Sequence, residues 1–428
     1  MKLGFVSLPF TGHLNPMTAL ARKMRSLGHE VVFIGIPDIE PTVRAAGLTF
    51  IPYCEIEFPL GSLDRYLAPM SRLHGLAAVE TTNLHLTPVL AKAAFEHLPR
   101  LIKEIGVEAL VIDTLHRFLE LIPMSLNIPC VHIWNTLHID GTGATPACIY
   151  NWPHQPTPEA RTRNLEGLKK LGGMASATLD LAKAYAEKAA LQIDWTNPAT
   201  AVPRLAVISQ TPKEFDFQGI PWPPEFHYAG PFHESEGRAP IPFPWEKLNG
   251  KPLIYASLGS LVNGLDHVYK IILETVEKVP EAQVVLSIGT NIDLDRLEPI
   301  PLGTIVVHGE EEGGVCTVGC VLVKQAVHGL KQEFGMIQSE SRLAAQVGLQ
   351  VGHEKGGGDS FAGNVADDEA ELVLAEVEDI EVIASHVAGG KAKAGVFEGL
   401  RFGMDLREEA GLDLLGDFQF LGGAAFGF

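Results

Sequence analysis

His13 is the one ionisable side chain in the stretch Pro9-Phe10-Thr11-Gly12-His13-Leu14-Asn15-Pro16. An imidazole titrates near neutral pH, so a single histidine in a tight turn is a candidate proton acceptor. The plainer reading is a loop histidine that only hydrogen-bonds its own turn. Asp113 is the second candidate, because it ends the apolar run Ala109-Leu110-Val111-Ile112. A carboxylate at the carboxyl end of a parallel strand can reach a histidine in the first turn, hold its tautomer and stabilise its charged form. The same aspartate could instead cap the helix that follows it.

The elements that must position these groups are readable around them. Residues 3–8 form a short apolar run suited to a buried parallel strand, and Val31-Val32-Phe33-Ile34 forms a second. Between them Met17, Leu20, Ala21, Met24 and Leu27 recur at helical spacing. Asn15 and Pro16 are expected as N-cap and first helical residue, and Gly28 as the closing glycine. The result is a βαβ unit whose first turn lies at the carboxyl edge of a parallel sheet, where such folds bind ligands. The turn lacks G-x-G-x-x-G, so it carries no dinucleotide fingerprint.

Residues 9–16, with Gly28-His29-Glu30-Val31, resemble the start of family 1 UDP-sugar-dependent glycosyltransferases. The run Asn135-Thr136-Leu137, Pro146, Trp152 is loosely similar to their macrolide- and carotenoid-type bacterial branch. The resemblance implies an α/β protein of the GT-B type, two Rossmann-like domains facing across a cleft. An N-terminal acceptor-binding domain is expected over residues 1–232, a linker over 233–250 and a C-terminal donor-binding domain over 251–428. It further implies that His13 is the general base for an acceptor hydroxyl and that Asp113 is its partner. Gly12, Ser257, Gly259 and Ser260 are the implied donor-binding residues. The last three form a turn after the strand Leu253-Ile254-Tyr255-Ala256, where backbone N–H groups and hydroxyls can bind a diphosphate.

The implied reaction is inverting transfer of a sugar, commonly glucose, from a UDP-sugar to a hydroxyl of a small apolar acceptor. No metal is expected, because no acidic metal motif appears, and no cofactor is expected beyond the UDP-sugar as co-substrate. In the family the region up to residue 105 lines the acceptor pocket. Here Leu86, Val89, Leu90, Ala93, His97 and Leu98 follow helical spacing, which a packed helix pair explains equally well. The competing function is a catalytically inactive acceptor-binding protein without a working donor site. A nucleotide-sugar epimerase on the same fold is disfavoured, because those enzymes do not carry this Gly-His-Leu-Asn-Pro turn.

Composition sets the outer bounds. The 428 residues suffice for two cores, and 46% hydrophobic against 20% charged residues describes a globular chain. A net charge of −19 argues against nucleic acid or an anionic membrane as main partner. No apolar run reaches spanning length and the chain opens directly on a strand, so neither stable membrane insertion nor a signal peptide is expected. Five scattered cysteines fit a reducing, cytoplasmic setting. A monomer or weak dimer is expected.

Further along, patterning predicts a helix over 40–47, a strand over 48–52, a loop over 58–70 and helical structure to residue 105. Strands follow over 130–134 and 205–209, separated by a helical region over 157–193 broken at Gly172-Gly173. Residues 226–232 match the family's strand-plus-Gly-Pro segment before the linker. A helix over 268–279 and strands over 283–288 and 303–308 complete this part.

Beyond His308 the composition changes. The first 308 residues hold all 29 prolines, 5 tryptophans and 7 tyrosines, whereas the remaining 120 hold none of these and 22 of the 43 glycines. These 120 residues carry 8 Lys/Arg against 21 Asp/Glu. The family's H-x-G-x-x-S-x-x-E signature and its following acidic-Gln pair are absent. His328-Gly329 and the stretch from His353 to Ser360 have the letters in the wrong order. Cys316 and Cys320 lack two further ligands at zinc spacing. Residues 369–383 alternate acidic and apolar side chains, suiting helix or edge strand. We read the chain from about Gly309 as out of frame relative to an ancestral glycosyltransferase gene; the competing reading is a divergent C-terminal lobe.

Overall fold

A computed structural model of the chain describes residues 1–195, 204–217, 220, 222–232, 243–289 and 291–308. The first part runs β1 (Lys2–Val6), α1 (Thr11–Ser26), β2 (Glu30–Gly35), α2 (Glu40–Ala45), β3 (Thr49–Pro52), α3 (Asp64–Met70), α4 (Gly75–Thr81), α5 (Thr87–Ile105) and β4 (Ala109–Asp113). It continues through α6 (Leu121–Leu126), β5 (Cys130–Trp134), α7 (Pro158–Met174), α8 (Ser176–Lys188), β6 (Arg204–Ser209) and β7 (Phe226–Tyr228). The second comprises β8 (Leu253–Ser257), α9 (Asp266–Val276), β9 (Gln283–Ile288) and β10 (Thr304–His308).

β1 to β7 form one parallel seven-stranded sheet in the order β3-β2-β1-β4-β5-β6-β7. The chain winds outward from β1 to β3, then returns beside β1 and winds the other way. This puts the topological switch point between β1 and β4, where the carboxyl ends of open α/β sheets leave a crevice. Phe5, Phe33 and Ile34 are fully buried and Val6 and Ile112 nearly so, as strands covered by helices on both faces require.

β8, β9 and β10 form a second parallel sheet in the order β10-β9-β8. β9 is buried on both faces. Leu286 and Ile288 join the core that also holds β1, β2 and α5, while Val285 packs with Phe243, Ile305 and Val307 on the other side. Leu258, Leu261, Val262 and Leu265 belong to that shared core too, so continuous apolar packing links the two sheets.

Several expectations shift against the observed elements. α1 begins at Thr11 and not at Pro16, because the His13 and Leu14 amides both bond the Phe10 carbonyl, at 2.9 and 2.8 Å. Asn15 is therefore inside the helix, and Pro16 costs only the one bond to the Gly12 carbonyl, close to the helix start. Gly28 closes the helix with φ +90° as expected. The segment over 58–70 is not all loop: α3 forms there beside the fully buried Phe58 and the buried Leu63. The break between α7 and α8 falls at Ala175, since helix tolerates the glycine pair at its end. Phe243 belongs to the second core, so the expected linker ends packed against β9. Residues 233–242 and everything after His308, including Cys316, Cys320, His328 and His353, lie outside the described residues. Among the described residues no helix is long and apolar enough to cross a membrane.

Candidate functional site

β1 delivers its chain to the switch point and α1 starts five residues beyond the strand's last residue, Val6. His13 thus sits in the first turn of α1 and not on a free loop. β4 ends beside β1, with Val6 paired to Ile112, and so places Asp113 beneath that helical turn. His13 Nδ1 lies 2.6 Å from Asp113 Oδ2. The two side chains are 1% and 0% exposed.

Asp113 is held from several directions. Its Oδ2 also accepts the Leu8 amide at 3.2 Å and the Ser7 hydroxyl at 3.3 Å, and its Oδ1 accepts the Leu115 amide at 3.1 Å. The alternative reading of Asp113 as a helix cap does not hold, because the next helix, α6, begins at Leu121 after Glu120 and Asp113 Oδ1 closes only a local turn. Burial alone would push this carboxyl up, but His13 and the donated amides outweigh it and leave it below the usual carboxylate range. An ionised Asp113 accepts a proton-bearing Nδ1, which fixes the tautomer with Nε2 as the basic nitrogen. Phe10 packs edge-on against the imidazole with ring centres 5.7 Å apart. Among the described residues no hydrogen bond engages Nε2.

Gly12 stands half-buried one residue earlier in the same turn, where helix amides lack intrahelical partners. In the second sheet, the Gly259 amide donates to the Ser257 hydroxyl at 3.1 Å, with Gly259 at φ +77°. That turn thus spends one of its N–H donors on itself. Ser260 is half-buried. The structure brings His13 to Asp113 and Ser257 to Gly259; among the described residues no hydrogen bond joins the pairs, or Gly12 to Ser260.

Other groups at this edge escaped sequence reasoning. His116, three residues past Asp113, is 2% exposed, and burial pushes its imidazole down to about 4 against the opposing pull of Asp113. The D-x-x-H spacing was its only signal. Asn263, 3% exposed, donates to the Gly259 carbonyl at 3.2 Å and accepts from Asn291 at 3.0 Å, bracing the turn after β8. A third cluster sits past β5 and β6. His138 Nε2 meets Asp216 Oδ2 at 2.8 Å and its Nδ1 meets the Ser209 hydroxyl at 3.0 Å. The Tyr228 hydroxyl donates to the same carboxylate and accepts the Trp222 indole N–H at 2.7 Å.

No protein-family model matches the chain. It is 22% identical over 284 residues to zeaxanthin glucosyltransferase of Pantoea ananas, covering 66% of this chain and 64% of that protein. It is 24% identical over 309 residues to NDP-glycosyltransferase YjiC of Bacillus subtilis strain 168, covering 70% and 67%. The chain thus spans slightly under two thirds of the first relative's length. Among solved structures it matches the glycosyltransferase of kitacinnamycin with a TM-score of 0.51 and 20% identity, over 71% of this chain and 70% of that one. That likeness is one of fold. The chain is thus similar in sequence to these glycosyltransferases and shares the GT-B fold.

Proposed function

We propose that the chain transfers a sugar from a nucleoside-diphosphate donor, UDP-glucose or a close analogue, to a hydroxyl of a small apolar acceptor, with inversion. The observation that carries this reading is the 2.6 Å contact between buried His13 and Asp113 at the switch point. Asp113 holds the proton on Nδ1, and Nε2 takes the proton of the acceptor hydroxyl. The acceptor oxygen then attacks the anomeric carbon while the bond from that carbon to the diphosphate oxygen breaks on the opposite face. The diphosphate leaves with its electron pair, and Asp113 stabilises the imidazolium that has formed. Gly12, Ser257, Gly259 and Ser260 are proposed to meet the diphosphate through backbone N–H groups and hydroxyls.

A second reading, an acceptor-binding protein without transfer, is favoured by one specific observation: the sequence holds no H-x-G-x-x-S-x-x-E. One experiment decides between them. The full chain is incubated with UDP-glucose and phenolic or terpenoid acceptors, UDP release is followed, and the anomeric configuration of the product is read by NMR. Acceptor-dependent UDP release with an inverted product supports transfer. Acceptor binding without UDP release supports the second reading.

A further inference from the structure

A groove of about 380 Å³ lies where the end of α3 meets the turn before α9. Arg72 and His74 line it from the first part of the chain, and Asp266, His267 and Arg296 from the second. The chain as a whole carries −19, yet this groove holds two guanidinium groups and two imidazoles against one carboxylate. That carboxylate is already committed, because Asp266 pairs with Arg296. Among the described residues no carboxylate pairs with Arg72, which is exposed.

The seam beneath the groove is tightly built. The Gly264 amide donates to the Ser71 carbonyl at 2.7 Å. A Cβ at Gly264 would lie 2.9 Å from Arg72 Cγ and 3.0 Å from the Ser71 carbonyl oxygen. Only glycine allows this approach, and the approach brings Arg72 over the first turn of α9. Leu265 precedes that helix and gives it no side-chain cap, and Asp266 and His267 of its first turn line the groove together with the guanidinium groups.

We propose that this groove binds a diphosphate-sized oxyanion, with Arg72 as the principal contact and Arg296 as the second. Guanidinium groups match phosphate oxygens in paired N–H···O geometry, and a groove of this volume accommodates more than one phosphate. The inference goes beyond glycosyl transfer, since binding here requires no reaction. Two sources offer the same chemistry: the diphosphate of a nucleotide, or a free phosphate compound.

The test is calorimetric titration of the full chain with inorganic pyrophosphate and, separately, with UDP. Wild type is expected to bind pyrophosphate saturably. Arg72→Gln should weaken it about tenfold or more, a loss in the range of one charge-assisted contact. Asp266→Asn should tighten it severalfold by removing the one carboxylate, a gain that misfolding could not produce. If Arg72→Gln weakens UDP in parallel, the groove takes the nucleotide's diphosphate in place of the turn at Ser257, Gly259 and Ser260; if only pyrophosphate weakens, it takes a free phosphate compound. Absence of saturable pyrophosphate binding, or Arg72→Gln binding as wild type, overturns the inference. A chain that binds pyrophosphate through Arg72 yet releases no UDP from UDP-glucose keeps this inference and loses the transferase reading.

Discussion

His13 Nδ1 and Asp113 Oδ2 meet at 2.6 Å across the boundary between β1 and β4, the place where the strand order of the sheet reverses. Two residues a hundred positions apart are paired because a helix N-terminus and a strand C-terminus converge there. If this pair is the base and its orienting group, His13→Ala lowers UDP release by roughly 10²- to 10⁴-fold, the usual worth of general base catalysis. UDP binding should stay within about twofold of wild type, since a proton acceptor adds little to ground-state binding. Asp113→Asn should fall by a comparable factor, because an amide can present its NH₂ to Nδ1 and favour the wrong tautomer. Full activity in His13→Ala removes the proposed base.

His116 makes stability depend on pH in a calculable direction. Its folded imidazole is pushed from the ordinary 6.5 to about 4 by burial. Between those values the unfolded chain binds a proton that the folded chain refuses, so stability rises with pH through this window and falls as the medium is acidified from 6.5 towards 4. The full loss is on the order of 3 kcal/mol. His116→Gln should flatten the fall in melting temperature between about pH 6.5 and 4.5. Asp113 acts lower on the scale. Its carboxyl sits below the ordinary range, so its stabilisation is present above about pH 4 and lost as pH falls through the folded value. An unchanged pH slope in His116→Gln would show that the imidazole is not the group being titrated.

How much of this was readable from residues alone depends on whether the signal was local. The strand runs at 3–8 and 31–34 and the closing Gly28 are local, and they are observed as β1, β2 and a helix end at φ +90°. The start of α1 was misread because Asn15-Pro16 is a strong capping signal, yet Phe10 adopts the extended conformation that opens the helix earlier. The segment over 58–70 looked like loop because its helix is short and contains Pro69, and what holds it is burial of Phe58 and Leu63. Asp113 was findable because it ends an apolar run. The His138 cluster was not, because Ser209 and Asp216 lie 71 and 78 positions away and no periodicity links them.

Gly289, the residue after β9, gives a packing prediction against the turn that follows β8. A Cβ there would lie 2.1 Å from Asn263 Nδ2 and 2.2 Å from its Cγ. Asn263 has little room to retreat, being 3% exposed and engaged with Gly259 and Asn291. Gly289→Ala should therefore destabilise by about 1–3 kcal/mol, the usual cost of overpacking. In an Asn263→Ala background the same change should cost less than half as much, because the clash is gone. Urea unfolding of the four chains measures the coupling, and additive effects would show that Asn263 is not what the new methyl meets.

His138 tests whether polar bonding or ring packing holds the far edge of the first sheet. Asp216 accepts from both Tyr228 and His138, so Nε2 carries the proton and Nδ1 is left to accept from the Ser209 hydroxyl. That hydroxyl in turn accepts the Thr211 amide at 3.1 Å. The chain of bonds runs through groups that are nearly all buried, with the His138 and Asp216 side chains 4% and 9% exposed. The imidazole also packs edge-on against Trp222 and Phe226, at 4.7 and 5.1 Å between ring centres. His138→Phe keeps the ring and removes both bonds, leaving the Ser209 hydroxyl without its acceptor while Asp216 keeps the Tyr228 hydroxyl and the Trp222 indole as donors. Such an orphaned hydroxyl costs about 1–3 kcal/mol, so the variant should lose a comparable amount in urea unfolding. Its near-UV circular dichroism should change as the stack of Trp222 on Phe226 loosens. Wild-type stability in His138→Phe would show that ring packing alone secures this edge.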